Sequence, residues 1–504
     1  MHSAYNLYPK FPSMSTPLAR SLISLTVAEI LFNLSGYVIH AVAGRVLGPA
    51  DYGRYGLVVT LTTTVIILIG NGIPTAMSRY LSEYFEKDPG MVRVIKRTGA
   101  RLQFFLIAGV TAIFFFGAPL IATLLGDPSL TSLFRFSALI IPAFAASSFY
   151  FYYFTGIHLF HYQAILKMAR SLLRIALTVP LVVFYKIHGA IAGYILVPLC
   201  TFLLGLWFDR KSSAPYRVWD ESTPERSFPW RTLLFAAWPI TLFLLFYELF
   251  ISIDLYLVKT LVGSDAETGY YNAATTLARL PSYLFYALSI ILLPALAKLK
   301  SDGNPERVSQ LMEQSLRYAG ILLLPLSLLL FSYAEPVLTL FFGNAYENAV
   351  PLFRILVFGL SFLTVFYTVS MGMIGLGHAR LVMWLSLIGT ALNAILISVL
   401  VPVLGTEGAA WSTTVSTTAI TLLTLLLMQR FVRTPIRISA MLKTLFAGSI
   451  LFAGTLLFPS TSLFFLFPAA LLGIGYLAIL FLLRVLTRED ITPLLTLLPK
   501  KKAN

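Results

Sequence analysis

Apolar residues dominate the chain in long runs, broken by short polar connectors. Fourteen runs are long enough to cross a bilayer as helices, because in lipid every backbone group must be satisfied within its own segment. Their limits are 20–44, 56–82, 98–125, 130–156, 164–186, 188–208, 232–258, 268–296, 314–342, 348–376, 380–404, 407–429, 438–459 and 462–484. The pattern therefore predicts an all-α integral membrane protein. The narrowest divisions fall within 164–208 and 380–429, where only a few residues separate one run from the next.

A short connector is written twice. "RVLGPADYGRYGLVVTL" (45–61) returns as "TLVGSDAETGYYNAATTL" (260–277). Further echoes follow in order at an offset of 216 to 219: "LLGDPSLTSLFRF" (124–136) with "FFGNAYENAVPLFRI" (341–355), Thr155-Gly156-Ile157 with Ile374-Gly375-Leu376, and His188-Gly189-Ala190 with Glu407-Gly408-Ala409. These echoes predict an internal duplication. Six spans per copy is an even number, so the copies share one orientation and are related by an axis along the membrane normal. Glycine in the connector would allow a tight turn, and its tyrosine would anchor at the interface. The expected organisation is a tail (1–19), a first six-helix bundle (20–209), a linker (210–231), a second bundle (232–430), accessory helices (438–484) and a second tail (485–504).

Composition agrees. Of 504 residues 58% are hydrophobic and 12% charged, against about a quarter charged in soluble domains. The net charge of +15 would suggest nucleic acid in a soluble protein. Here the basic residues sort by side. With both termini cytoplasmic, 30 of the 37 Lys and Arg fall inside and six outside, and Arg279 lies within a span. Such a bias is what orients membrane proteins, and it makes the expected location the cell membrane. The residues from Lys167 to Arg174 and the loop 93–101 belong to that inner count. One cysteine, Cys200, permits no internal disulfide, and the six histidines have no ligand spacing on one helix, so neither a metal nor another cofactor is expected. There is no G-x-x-x-x-G-K-[ST] loop for nucleotide phosphates, and no outer loop large enough for an enzyme's catalytic acids.

The stretches "LGPADYGRYGLVVTL…GNGIPTAMSRYLSEY", "GSDAETGYYNAATTLARLPSYLFYALSIILLPALAK" and "ALNAILISVLVPVLGTEGAAWSTTVS" resemble polysaccharide-type flippases. That family shares a superfamily with the lipid II flippase and the multidrug and toxic compound extrusion antiporters. The resemblance runs from about residue 20 to 484. It implies two six-helix bundles around a central cavity that opens alternately to either side, and a lipid-linked oligosaccharide on a polyprenyl pyrophosphate as cargo. The alternative within the superfamily is a cation-coupled multidrug antiporter, driven by protons or sodium.

Polar residues inside spans are costly and should face protein or water. Span 1 carries Glu29, Asn33, Tyr37 and His40 on one stripe; span 2 carries Asn71; span 8 carries Asn272 and Arg279. Arg279 has the planar fork that suits phosphate oxygens. With Asn272, Glu29, Asn33 and Asn71 it forms the expected cargo-binding set. Glu29, Asp254 and Glu248 are the expected ion-coupling or charge-pairing acids. Glu248 and Asp254, six apart, fall on different faces of span 7. "SFYFYYFTG" (148–156) reads as an interfacial aromatic belt.

Overall fold

In a computed structural model the described residues are 17–70, 72–212, 227–432, 438–459 and 463–486. Among them the chain is helical throughout, with no strand. The elements are α1 (Pro17–Gly70), α2 (Gly72–Lys87), α3 (Pro89–Leu124), α4 (Leu130–Ser137), α5 (Ile140–Gly156), α6 (Phe160–Leu173), a π-helical turn (Arg174–Thr178), α7 (Val179–Ser212), α8 (Trp230–Val262), α9 (Asp265–Ala278), α10 (Leu280–Ser301), α11 (Pro305–Ser332), α12 (Ala334–Phe342), α13 (Ala349–Gly375), α14 (Ala379–Phe431), α15 (Ile438–Leu457) and α16 (Leu466–Leu482). The fourteen expected spans are present. Three pairs run on as one helix, divided at Gly48, Lys186 and Gly405, where a single residue leaves helical dihedrals.

The duplication is written in the backbone. Positive φ occurs at Gly48 and Gly263 (73° each), Gly126 and Gly343 (72° and 87°), His158 and Gly377 (58° and 86°), and Lys186 and Gly405 (50° and 59°). Members of a pair stand 215, 217, 219 and 219 residues apart, close to the offsets of the sequence echoes. Arg135 and Arg354, each after Leu-Phe, are both exposed and both lie over a phenylalanine ring, at 5.6 Å from Phe115 and 5.9 Å from Phe331.

The chain forms two compact units, residues 1–272 with 379–406, and residues 273–378 with 407–504. In the first, α1 packs against α6, α7 and α8, and α2 against α3, α5 and α8. Thus α8, which the duplication assigns to the second bundle, packs on the first two spans. The repeated connectors meet here. A Cβ on Gly269 would strike the backbone carbonyl of Pro49, and one on Gly53 would strike that of Asp265 and lie 2.7 Å from the Gly269 nitrogen. Only glycine admits so close a crossing. The expected interfacial tyrosines are instead core: Tyr52, Tyr55 and Tyr271 are fully buried. The aromatic run of α5 is also core and not a belt. Phe149, Tyr150, Phe151, Tyr153 and Phe154 pack with Leu81, Phe85, Phe208 and Phe228. The sequence alone offers no way to tell a ring facing lipid from one facing a neighbouring helix.

In the second unit α10 and α11 both pack on α13. Hydroxyl pairs stitch this core, Ser289 to Thr368 at 3.0 Å and Ser327 to Ser361 at 2.7 Å. The two accessory helices join it through α11, where Ile321 is buried with Ala447, Leu451, Tyr476 and Leu480. The Tyr476 hydroxyl donates to the Ile321 carbonyl at 3.1 Å.

Candidate functional site

Helical periodicity brings Lys167, Arg170 and Arg174 to one face, because steps of three and four residues return to the same side. That face meets α1. Lys167 Nζ donates to Glu29 Oε2, and both groups stay partly exposed. One turn on, Arg170 is 8% exposed. Its guanidinium lies 4.4 Å from the Phe144 ring centre, 5.3 Å from Phe32 and 5.8 Å from Phe151. No described carboxylate lies within ion-pair distance of it. Each ring contact offsets about 0.5–2 kcal/mol, but rings do not neutralise a charge. Arg174, at the start of the π-helical turn, donates to the Tyr194 hydroxyl at 2.9 Å and stands over Phe32 at 5.4 Å. Gly36 makes room for it: a Cβ there would sit 3.1 Å from Arg174 Nη1. π-Helical turns recur at functional sites because they shift side chains out of regular register.

From Arg174 a polar and aromatic chain continues through the unit. Tyr194 meets Tyr55 (ring centres 6.2 Å apart), Tyr55 meets Tyr52 (5.8 Å), and Tyr52 shares a 2.9 Å hydrogen bond with His40 Nδ1. Asn272 closes on the same segment, its amide reaching the Tyr52 carbonyl at 3.5 Å beside Gly56. The neighbouring Tyr271 hydroxyl donates to Asp254 Oδ2 at 2.7 Å, and Asp254 is 1% exposed.

The expected site residues fall as follows. Glu29 is engaged by Lys167. Asn33 lies half-buried between Glu29 and Tyr37 on α1. Asn272 and Asp254 lie next to each other through Tyr271, and Glu248 is half-buried further back on α8. Asn71 lies outside the described residues. Arg279 belongs to the second unit, half-buried at the junction of α9 and α10. There the expected span 268–296 is two helices, with Pro281 in the first turn of the second. Arg279 itself keeps near-helical dihedrals (φ −80°, ψ −7°) and its amide still donates to the Thr275 carbonyl at 3.3 Å, so the division is a one-residue kink.

What sequence reading missed is the α6 stripe. By charge alone Lys167, Arg170 and Arg174 count with the inner loops; their 3–4 spacing within an apolar run is the signal that finds them.

At one end of the first unit a second charged cluster ties four segments together. Lys259, 4% exposed, binds Asp265 and reaches Asp127 at 3.2 Å. Arg54 lies 3.8 Å from Asp265 and donates to Ser129.

Helix number, the paired positive-φ turns and the apolar spans define a class, the polytopic all-helical membrane proteins with an internal repeat. Residues 18–300 match the model of a family described as polysaccharide biosynthesis protein, and the chain belongs to that family. The succinoglycan biosynthesis transport protein ExoT of Rhizobium meliloti is 25% identical over 355 residues, 70% of this chain and 68% of its own. Among solved structures, the lipid II flippase MurJ in an inward closed conformation has a TM-score of 0.71 at 17% identity, covering 91% of this chain and 98% of its own. An inward-facing multidrug resistance transporter of the MATE family has a TM-score of 0.69 at 13% identity, covering 82% and 98%. These two likenesses establish the fold.

Proposed function

We propose that the protein carries a lipid-linked oligosaccharide, held on a polyprenyl pyrophosphate, across the cell membrane by alternating access. The observation that carries this reading is Arg170, a permanently charged group buried in a span with no carboxylate beside it. A charge at mid-span costs about 2.5–3.5 kcal/mol by insertion scales. An anionic headgroup is the partner that would recover that cost, and Lys167 and Arg174 on the same stripe extend the cationic track. Among the described residues the acid on this face, Glu29, is already taken by Lys167. A cationic drug would meet net positive charge there, which disfavours the antiporter reading. The role of ExoT as a transport protein in succinoglycan biosynthesis supports the same cargo class.

In this reading Arg279 is a contact for the pyrophosphate, and Asn272, Asn33 and Asn71 are contacts for the sugars. Asp254 and Glu248 are the candidates for coupling to a proton or sodium ion. With both termini in the cytoplasm, an outgoing negative charge gains about 2.3 kcal/mol per 100 mV of inside-negative potential. The test is depletion of the protein in its host, followed by the lipid-linked sugar that accumulates on the inner leaflet. Arg279→Ala and Arg170→Gln should each reproduce that accumulation at normal protein level. Normal export in both variants would refute the assignment.

A further inference from the structure

The second unit holds a cleft that transport, as proposed above, does not use. Its volume is about 810 Å³, and its walls are the end of α10, the first turns of α11, the turn before α14 and the end of α14. Two cations line it, Lys300 and Arg430, with the imidazole of His378. Lys300 Nζ donates to the Leu376 carbonyl at 2.6 Å, and this is a neutral acceptor. No described carboxylate lies within ion-pair distance of Lys300 or Arg430. His378 packs against Phe431, with ring centres 4.1 Å apart and the planes tilted by 40°. Burial, and then the charge of Lys300, lower its pKa, so the cation's field already reaches the imidazole. The 28-residue α11 begins in the same wall; Asn304 caps it by accepting from the Arg307 amide at 3.1 Å. Its aligned peptides add positive potential where the cleft opens. One acid, Glu306, opposes this.

We infer that this cleft binds a phosphate-bearing ligand, with Lys300 and Arg430 as the charged contacts and His378 as the shaped floor. Two exposed cations without a described acid in ion-pair reach, converging with a helix start on a cleft of ligand size, favour an oxyanion that can take several donors at once. The phosphate could belong to a lipid headgroup or to a free phosphate compound. The cleft lies at the end of the chain's spans where Lys298 and Asp302 also emerge, next to the headgroup zone, so both sources can reach it. The inference stands apart from the transport reading, since none of these residues belongs to the cargo set.

The experiment uses the full-length protein in detergent and titrates three probes: dihexanoylphosphatidic acid, inorganic phosphate, and dihexanoylphosphatidylcholine as the zwitterionic control. The double variant Lys300→Gln, Arg430→Gln should weaken binding of the anionic probe at least about tenfold, the loss of two charge-assisted hydrogen bonds at minimum. Glu306→Gln should strengthen it about two- to fivefold, because it removes the opposing charge. The thermal midpoint of each unliganded variant separates lost binding from lost folding. If phosphatidic acid binds and inorganic phosphate does not, the ligand is a lipid headgroup. If both bind with the same dependence on the two cations, it is a free phosphate compound. Binding that ignores the double variant, weakens in Glu306→Gln, or is equal for phosphatidylcholine overturns the inference.

Discussion

Arg170 separates a residue kept for stability from one kept for cargo. If its role were structural, removing it would orphan a partner and destabilise the protein. It has rings for neighbours and no described acid, so an apolar side chain of similar volume removes the cost of the charge, about 2.5–3.5 kcal/mol by insertion scales, against the ring contacts it gives up. Arg170→Met should therefore hold or raise the thermal midpoint while cutting export at least about tenfold; a midpoint that falls with export intact would make the residue structural. Asp127 behaves in the opposite way. Burial alone would raise its pKa, but hydrogen bonds from Ser129 and Lys259 and the charges of Lys259 and Arg54 outweigh it and hold the carboxyl below its ordinary 3.8. A depressed carboxylate adds stability that is fully present above the unfolded pKa and is lost as pH falls through the folded one. Asp127→Asn should thus lower the midpoint most at neutral pH, and the gap to the parent should close below pH about 4. Thermal melts of both proteins across that range check it. At this scale sequence reading found Glu29, Asp254 and Asn272 as polar residues in spans, because a charge in an apolar run is visible as such. It did not find their partners, since Lys167 lies 138 residues from Glu29 and no pattern along the chain pairs them.

The elements were legible because hydrophobic length decides a membrane helix almost alone. Their joints were less so. The two divisions with the shortest turns proved to be single residues, Lys186 (φ 50°, ψ −130°) and Gly405 (φ 59°, ψ −142°). The same dihedrals occur at repeat-related places, once with the residue that adopts them freely and once with lysine. A left-handed non-glycine residue costs on the order of 1–2 kcal/mol. Lys186→Gly should then stabilise by about 0.5–1 kcal/mol after the extra chain entropy of glycine is subtracted. Gly405→Ala should destabilise, and chemical or thermal unfolding of both variants measures the signs. Glycines within helices sort the same way. Gly269→Ala forces a methyl onto the Pro49 carbonyl and should cost about 1–3 kcal/mol, while Gly109→Ala meets nothing within 4 Å and should gain about 0.5–1 kcal/mol of helix propensity. In the sequence these glycines look alike. The second copy of the connector was the only hint that Gly53 and Gly269 matter to each other, and it pointed to a hairpin turn, because the crossing depends on a contact between helices far apart in the chain.

At the scale of the whole molecule the end that faces the cytoplasm decides where cargo enters. The distribution of 30 basic residues on one side and six on the other predicts the answer. The lone cysteine makes it measurable. Cys200→Ser gives a background without thiols, into which one cysteine at a time can be placed. Ser129 and Ser301 suit this, since both are exposed in short turns, the first between α3 and α4 and the second at the end of α10. With both termini inside, Ser129→Cys should react with a membrane-impermeant maleimide in intact cells, and Ser301→Cys only after the membrane is opened. Ser129 accepts from Arg54 and donates to Asp127, so export by each variant must be confirmed before its labelling is read. The reverse pattern would place Lys259, Asp127 and Asp265 on the cytoplasmic side and the Lys300 cleft outside. The membrane potential favours an outgoing anion whichever way the protein is inserted, so what would change is the path: cargo would have to enter beside the Lys259 cluster, and the reading of Lys167, Arg170 and Arg174 as the track that receives it from the inner leaflet would fall.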